Sequence, residues 1–113
     1  MPTAFLLSGK IQPTEYRRWA DARRRFARRE KDRKKVEWLM ESIPHHGLRE
    51  PILIGVSDRY PDVYVGDGHH RAVAVMDLRL RSFPFRWYWI KNSGVHIERE
   101  PFPFHLLHDH VKE

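Results

Sequence analysis

The pattern of hydrophobic and polar positions predicts a helix in the first third of the chain. Between residues 15 and 35, apolar side chains recur at helical spacing and arginines occupy most of the other positions. The preceding segment "AFLLSGKI" is predicted to be a short strand, which Pro13 ends. Thr14 is the expected N-cap, and Glu15 favours the first turn because a negative charge interacts well with the N-terminus of a helix.

A second helix is expected to follow directly. Asp32 can restart the chain, and an apolar stripe then runs through "RKKVEWLMESI". Pro44 and Gly47 are expected to end this helix, because proline removes a helical hydrogen bond and glycine is common just after a helix.

The second half of the chain favours strands and further helices. Branched residues in "LREPILIGV" and "VYV", separated by the turn "SDRYPD", predict a hairpin. After "GDGHHR", the run "AVAVMDL" predicts a helix, "FPFRWYWI" predicts a strand, and "KNSG" predicts a turn. A final helix is expected from Phe104 onward. This order predicts an α+β fold, a small mixed sheet with flanking helices.

Length and composition limit the class of protein. The 113 residues predict a single domain, 1–113, with a basic helical segment at 14–35. The chain contains no cysteine, which excludes disulfides, thiolate metal sites and cysteine nucleophiles. No apolar run approaches the roughly 20 residues of a membrane span, and no secretory signal is recognisable. We therefore expect a cytoplasmic protein with no membrane partner.

Positive charge is concentrated in the basic segment. Residues 15–35 contain eleven Lys or Arg and four Asp or Glu, a net of +7, whereas the whole chain carries +6. Ion pairs within a helix neutralise only part of such an excess, so we expect contact with nucleic-acid phosphates rather than a merely solvated face. The expected DNA-binding residues are Arg17, Arg18, Arg24, Arg25, Arg28, Arg29, Lys34 and Lys35.

The stretch "VGDGHHRAVAV" at 65–75 carries more cationic side chains than a turn requires. A strand that ends in glycines and opens a helix offers free N–H groups and a positive helix end to an anion. Arginine adds a planar fork for two phosphate oxygens, and histidine can donate to phosphate or move protons near neutral pH. The expected phosphate or nucleotide ligands are Gly66, Gly68, His69, His70 and Arg71.

Two further groups of residues have competing interpretations. Asp67 can help to hold Mg²⁺, with Glu50 as a second carboxylate, or it can simply cap the helix. In "HLLHDH", residues His105 and His108 lie one turn apart and could share a metal ion with their neighbours, although an exposed polar tail is favoured for this segment.

The stretches "SIPHHGLREPILIGV" and "VYVGDGHHRAVAVMDL" together resemble the ParB/sulfiredoxin superfamily, over about residues 36 to 80. The resemblance implies a ParB/sulfiredoxin-like fold, a loop at Gly68 to Arg71 that holds nucleotide phosphates such as those of ATP or CTP, and a link to DNA. Sulfiredoxin activity is excluded, because His69 stands where that branch has its catalytic cysteine.

Three functions follow as expectations. The first resembles the stand-alone ParB-like nuclease domains: a metal-dependent nuclease or nucleotide hydrolase in which Asp67 helps to hold Mg²⁺, His69 or His70 is base or acid, and Arg71 stabilises phosphate charge. The second resembles the free-serine kinase branch, with ATP on the same loop and Glu15 as base. The third is a non-catalytic DNA-binding or regulatory protein of the same fold. A small basic chain of this kind would suit a phage or plasmid accessory protein.

Overall fold

The computed structural model describes residues 1–59 and 62–108, and its centre is a five-stranded mixed sheet. In sheet order, the strands are β1 Ile11–Gln12, β3 Val63–Asp67, β2 Ile52–Ser57, β4 Phe85–Lys91 and β5 Gly94–Ile97. Strand β2 pairs antiparallel with β3 and parallel with β4, β1 runs parallel to β3, and β5 runs antiparallel to β4.

Four α-helices accompany the sheet in the described part of the chain. They are α1 Ala4–Leu7, α2 Trp19–Arg28, α3 Glu30–His46 and α4 His69–Asp77, and a 3-10 helix follows at Phe104–Leu107. Helices α2, α3 and α4 pack against one another, and α4 also packs against β2. The predicted α+β fold with a mixed sheet is confirmed. None of the helices in residues 1–59 and 62–108 is long and apolar enough to cross a membrane.

Helix α4 lies in the middle of the core. Five consecutive residues, Ala72 to Met76, are buried, and they share one cluster with Ile52, Ile54 and Val56 of β2. A helix buried on nearly all sides cannot shift without disturbing the sheet, because protein interiors are close-packed. The loop that opens α4 is therefore attached to a helix that is packed into the core.

The first segment differs from its prediction. The residues "AFLL" form helix α1 rather than a strand, and only Ile11 and Gln12 pair with β3. Leu6 is 1% exposed and anchors α1 in the core. A single turn of helix and a two-residue strand are too short to produce a recognisable period, so the pattern gave the wrong element here.

The basic segment is bent, and its predicted N-cap is wrong. Helix α2 begins at Trp19, and Thr14 lies outside it, donating its hydroxyl hydrogen to the Val65 carbonyl. The chain leaves helical geometry at Arg29 (φ −92°, ψ 119°) and re-enters it at Glu30 rather than at Asp32. No glycine or proline marks this bend. It lets Phe26 of α2 and the apolar face of α3 reach the same core.

The end of α3 also differs from its prediction. The prediction that Pro44 ends the helix is wrong, because α3 continues to His46 with Pro44 in its last turn. Gly47 ends it with a positive φ of 72°, and its N–H donates to the Ile43 carbonyl at 2.8 Å. Proline this close to the end removes one of the last helical bonds, which is a smaller loss than in mid-helix.

The remaining predictions are largely confirmed. The β2–β3 hairpin, helix α4 and strand β4 form where the pattern placed them. Strand β5 was not predicted, because its residues are mostly exposed at the sheet edge and lack an alternating pattern. The helix expected from Phe104 is a single 3-10 turn, and residues 109–113 of that prediction lie outside the described residues.

Candidate functional site

The turn between β3 and α4 forms the base of the candidate site. Gly68 has a φ of 105°, in the left-handed region that favours glycine, and His69 begins the helix. The Ala72 N–H is the first in α4 to bond back within the turn, donating to the Gly68 carbonyl at 2.8 Å. The N–H groups of residues 69–71 therefore have no acceptor within the helix, and they lie at its positive end.

A cavity of about 370 Å³ lies between this turn and the bend that joins α2 to α3. It brings together most of the residues to which the sequence assigned chemistry, although they are up to 56 positions apart. Gly66 and Glu50 are not among them. The lining residues are Glu15, Tyr16, Arg25, Phe26, Arg29, Asp32, Lys35, Asp67, Gly68, His69, His70 and Arg71.

The residues expected to bind DNA divide into two groups. Arg25, Arg29 and Lys35 line the cavity, and a second groove of about 410 Å³ continues from it, with Arg24 and Arg28 on its wall. The cavity and the groove share Tyr16, Arg25 and Arg29. We call this second space the arginine groove.

Three of the expected DNA-binding residues lie elsewhere. Arg17 and Arg18 line a separate groove beside α1. Lys34 pairs with Glu30 at 3.1 Å on an exposed part of α3. The basic segment therefore presents its charge on more than one side, and five of the eight predicted residues reach the connected spaces.

His69 is held in one tautomer by the backbone. The Thr14 N–H donates to its Nε2 at 2.9 Å, so the ring of neutral His69 carries its proton on Nδ1. Burial lowers the pKa of His69; the carboxylates of Glu15 and Asp67 act in the opposite direction. The neutral imidazole therefore offers an Nδ1–H donor, and its other nitrogen is already occupied.

His70 is held by two partners from different helices. Its Nε2 lies 2.9 Å from Oδ1 of Asp32 on α3, and its ring stacks on Phe26 of α2 at 4.2 Å with an interplanar angle of 9°. The side chains of His70 and Asp32 are 22% and 21% exposed. Sequence reasoning assigned Asp32 only to a helix start. No local spacing relates positions 32 and 70, so only the fold reveals this pair.

Arg71 is bonded to the protein rather than projecting freely. Its Nη1 donates to the carbonyls of Glu50 at 3.2 Å and Pro51 at 2.6 Å, and its side chain is 17% exposed. The guanidinium thus connects the first turn of α4 to the residues that immediately precede β2. Arg71 also lines the cavity, and its assignment as a phosphate ligand stays a prediction.

The two carboxylates expected to hold Mg²⁺ both lie beside Arg71. Asp67 is 3.5 Å and Glu50 is 3.7 Å from its Nη2. A divalent cation between them would meet a guanidinium, so this pair fits Mg²⁺ poorly. Within residues 1–59 and 62–108, no group of three or more His, Asp or Glu is arranged to hold a metal ion. The magnesium assignment remains a prediction.

The position of Gly66 leaves little room for a side chain. A Cβ at this position would lie 2.7 Å from the Tyr88 hydroxyl oxygen, a distance that real Cβ atoms essentially never show. A side chain at this position would therefore displace the Tyr88 ring, and the assignment of Gly66 as a phosphate ligand stays a prediction.

Other histidines of the described residues lie away from the cavity. His45 and His46 occupy the last turn of α3, and His108 packs edge-on against Phe5 with ring centroids 6.0 Å apart. His105 belongs to the 3-10 helix. Asp109 and His110 of the "HLLHDH" cluster lie outside the described residues.

Comparisons with family models, curated proteins and solved structures find no match to this chain. The resemblance to the ParB/sulfiredoxin superfamily accordingly stays a prediction.

Proposed function

We propose that the protein binds a phosphate group of a nucleic acid or nucleotide at the start of α4, and that it hydrolyses a phosphate ester or anhydride there. The observation that carries the proposal is the bend at Arg29. It brings Arg25, Arg29 and Lys35 to the same cavity as the N-terminus of α4. Cationic side chains and free N–H groups that converge on one cavity suit a phosphate.

The charges around the cavity support an anionic ligand. Asp32 is bonded to His70, and Asp67 lies against Arg71, so two of the three carboxylates have cationic or donor partners. Among residues 1–59 and 62–108, no ion pair joins Arg25, Arg29 or Lys35 to a carboxylate. Their positive charge is available to a ligand.

The arginine groove favours DNA over a mononucleotide. Because this groove shares Arg25 and Arg29 with the cavity, a strand with one phosphate at α4 has room for a neighbouring phosphate near Arg24 and Arg28. Phosphate contacts of this kind position a protein on nucleic acid without reading its sequence. We therefore favour a nuclease, with hydrolysis of ATP or CTP as the related activity of the same site.

A small-molecule kinase is the second candidate, supported by the position of Glu15. Its carboxylate lines the cavity and is close enough to His69 to affect the pKa of that residue. In such an enzyme, Glu15 would take the proton of an acceptor hydroxyl while the phosphate of ATP lay at α4.

Binding tests the phosphate site directly. We would measure the affinity for a fluorescent oligonucleotide, ATP and CTP, each with and without Mg²⁺. The Arg25→Gln/Arg29→Gln variant should bind at least about tenfold more weakly, because each charged contact is worth about 1.5–3 kcal/mol. The matched control, Arg17→Gln/Arg18→Gln, changes two arginines that line another groove and should bind as wild type does. Equal losses in both variants, or no binding by wild type, would overturn the proposed site.

Activity separates the candidates. A nuclease should cleave plasmid or oligonucleotide DNA, and His70→Ala should abolish cleavage. A kinase should leave DNA intact and consume ATP only with an acceptor such as a free amino acid, and Glu15→Ala should be inactive. DNA binding without turnover in either assay would overturn the hydrolase and leave a non-catalytic DNA-binding protein.

A further inference from the structure

The two ring nitrogens of His70 have different surroundings. Nε2 lies 2.9 Å from Asp32 Oδ1. An ionised carboxylate only accepts hydrogen bonds, so the neutral ring must place its proton on Nε2 and its lone pair on Nδ1. In residues 1–59 and 62–108, no protein group forms a hydrogen bond with Nδ1. The ring lines the cavity with this nitrogen uncommitted.

The orientation of the ring is determined by three elements. The backbone of His70 belongs to the first turn of α4, Asp32 reaches it from α3, and Phe26 stacks on it from α2. Phe26 is itself only 5% exposed, so the surface against which the ring lies is part of the core. When one face of a ring is stacked and one of its nitrogens is hydrogen-bonded, the side chain needs little reorganisation before it reacts.

The adjacent residue, His69, is suited to donate a hydrogen bond rather than to accept a proton. The Nε2 of His69 accepts the Thr14 N–H, and only its Nδ1–H is available to a ligand. His69 is thus a hydrogen-bond donor to phosphate oxygen, whereas His70 has a free lone pair. The two adjacent residues differ because a backbone donor fixes one tautomer and a carboxylate fixes the other.

We infer that His70 is the general base of this site, acting through Nδ1, and that Asp32 is a positioning residue that holds it in the reactive tautomer. The inference rests on the proposed hydrolase. Nδ1 takes a proton from water as the water oxygen bonds to phosphorus. The bond from phosphorus to the leaving oxygen breaks, and that oxygen keeps the electron pair and takes a proton from solvent. The imidazolium beside the Asp32 carboxylate then returns its extra proton to solvent.

Ring-nitrogen NMR tests the positioning role without any reaction. In wild type, His70 should show the Nε2–H tautomer and His69 the Nδ1–H tautomer. In Asp32→Asn, the amide can donate to Nε2, so the His70 proton should move to Nδ1. If His70 carries its proton on Nδ1 in wild type, or keeps it on Nε2 in Asp32→Asn, the inference is overturned.

Kinetics tests the base role. Asp32→Asn should lower kcat by about 10²–10⁴-fold, the usual contribution of a general base, without weakening DNA binding, because the change removes a negative charge from the cavity. His70→Gln should fold, because its amide can still bond to Asp32, and should be as inactive as the double variant, since residues that act as a unit are not additive. Asp32→Glu should recover part of kcat. The control Glu37→Gln changes an exposed carboxylate of the same helix and should match wild type.

The outcomes distinguish the positioning role of Asp32 from the proposed hydrolase activity. If wild type cleaves DNA and Asp32→Asn cleaves it equally well, the positioning role fails and the hydrolase stands. If wild type hydrolyses none of the phosphate substrates, the hydrolase fails and the base role fails with it.

Discussion

Arg71, at the start of α4, stabilises the fold and also lines the candidate phosphate site. Its donors reach the backbone carbonyls of the two residues that immediately precede β2. We expect Arg71→Ala to lower the free energy of unfolding by about 1.5–3 kcal/mol, the worth of hydrogen bonds to a charged group. Arg71→Lys should recover only part, because an ammonium cannot reproduce the planar fork. Urea unfolding measures both variants.

The control is Arg18→Ala, since the Arg18 side chain is 76% exposed and its pair with Asp21 is long at 3.8 Å. Its unfolding should match that of wild type. If Arg71→Ala is as stable as wild type but loses phosphate affinity, Arg71 serves the ligand alone, as the sequence predicted.

His69 should make stability depend on pH. Burial lowers the pKa of His69 in the folded state, so the unfolded chain binds a proton first as pH falls. The free energy of unfolding should therefore decrease as pH drops below about 6.5, the ordinary pKa of histidine, towards the lower folded-state value. In His69→Gln, whose amide oxygen can still accept the Thr14 N–H, this decrease should shrink. Urea unfolding at a series of pH values would detect it, and identical pH dependence in both proteins would contradict the explanation.

At the scale of elements, the junction between β3 and α4 depends on a left-handed residue. Gly68 has a φ of 105°, and a Cβ there would lie 3.3 Å from the guanidinium carbon of Arg71. We expect Gly68→Ala to cost about 1–2 kcal/mol of unfolding free energy from backbone strain alone. Thermal or urea unfolding measures the cost. A variant as stable as wild type would mean that the junction tolerates a different backbone path.

The bend between α2 and α3 is the second decisive feature at this scale. It places two helices, rather than one, around the start of α4. Phe26, near the bend, is buried in the core and also stacks on the ring of His70. Phe26→Leu keeps an apolar side chain in the core but removes the flat ring. We expect it to remain folded and to lose hydrolysis more than DNA binding, measured side by side. A proportional loss of both would show that Phe26 only maintains the fold.

For the whole molecule, the arrangement of charge predicts how binding responds to salt. Five basic residues, Arg24, Arg25, Arg28, Arg29 and Lys35, line the connected cavity and arginine groove. If each neutralises one phosphate of duplex DNA, the log–log slope of affinity against salt should be about −4.5, since each contact contributes about −0.9.

The matching variant is Arg24→Gln/Arg25→Gln/Arg28→Gln, which should reduce the steepness of that slope by about 2.7 for three lost contacts. It should weaken binding to all DNA sequences alike, because phosphate contacts carry no sequence information. Affinity that does not change with salt, or a triple variant that binds like wild type, would assign these arginines to another partner or to solubility.

Local signals in the sequence predicted much of this protein. Turn residues and branched side chains predicted the β2–β3 hairpin, and glycines followed by small apolar residues predicted the start of α4. These features depend on residues that are neighbours in the chain, so the sequence alone can predict them. These signals also marked Asp67, His69 and His70 as candidates, and the three line one cavity with Glu15, which only the family resemblance singled out.

Only the tertiary structure decided which partner each of those residues meets. The bend at Arg29 carries no glycine or proline, and it arises because two apolar faces must reach one core. Asp32 meets His70 across 38 positions, and Arg71 meets the carbonyl of Glu50 across 21. Such contacts have no sequence spacing to detect, because they depend on how separate elements pack. The sequence by itself determined which chemical groups open α4, and the packing of α2 and α3 around that helix determined the partner of each.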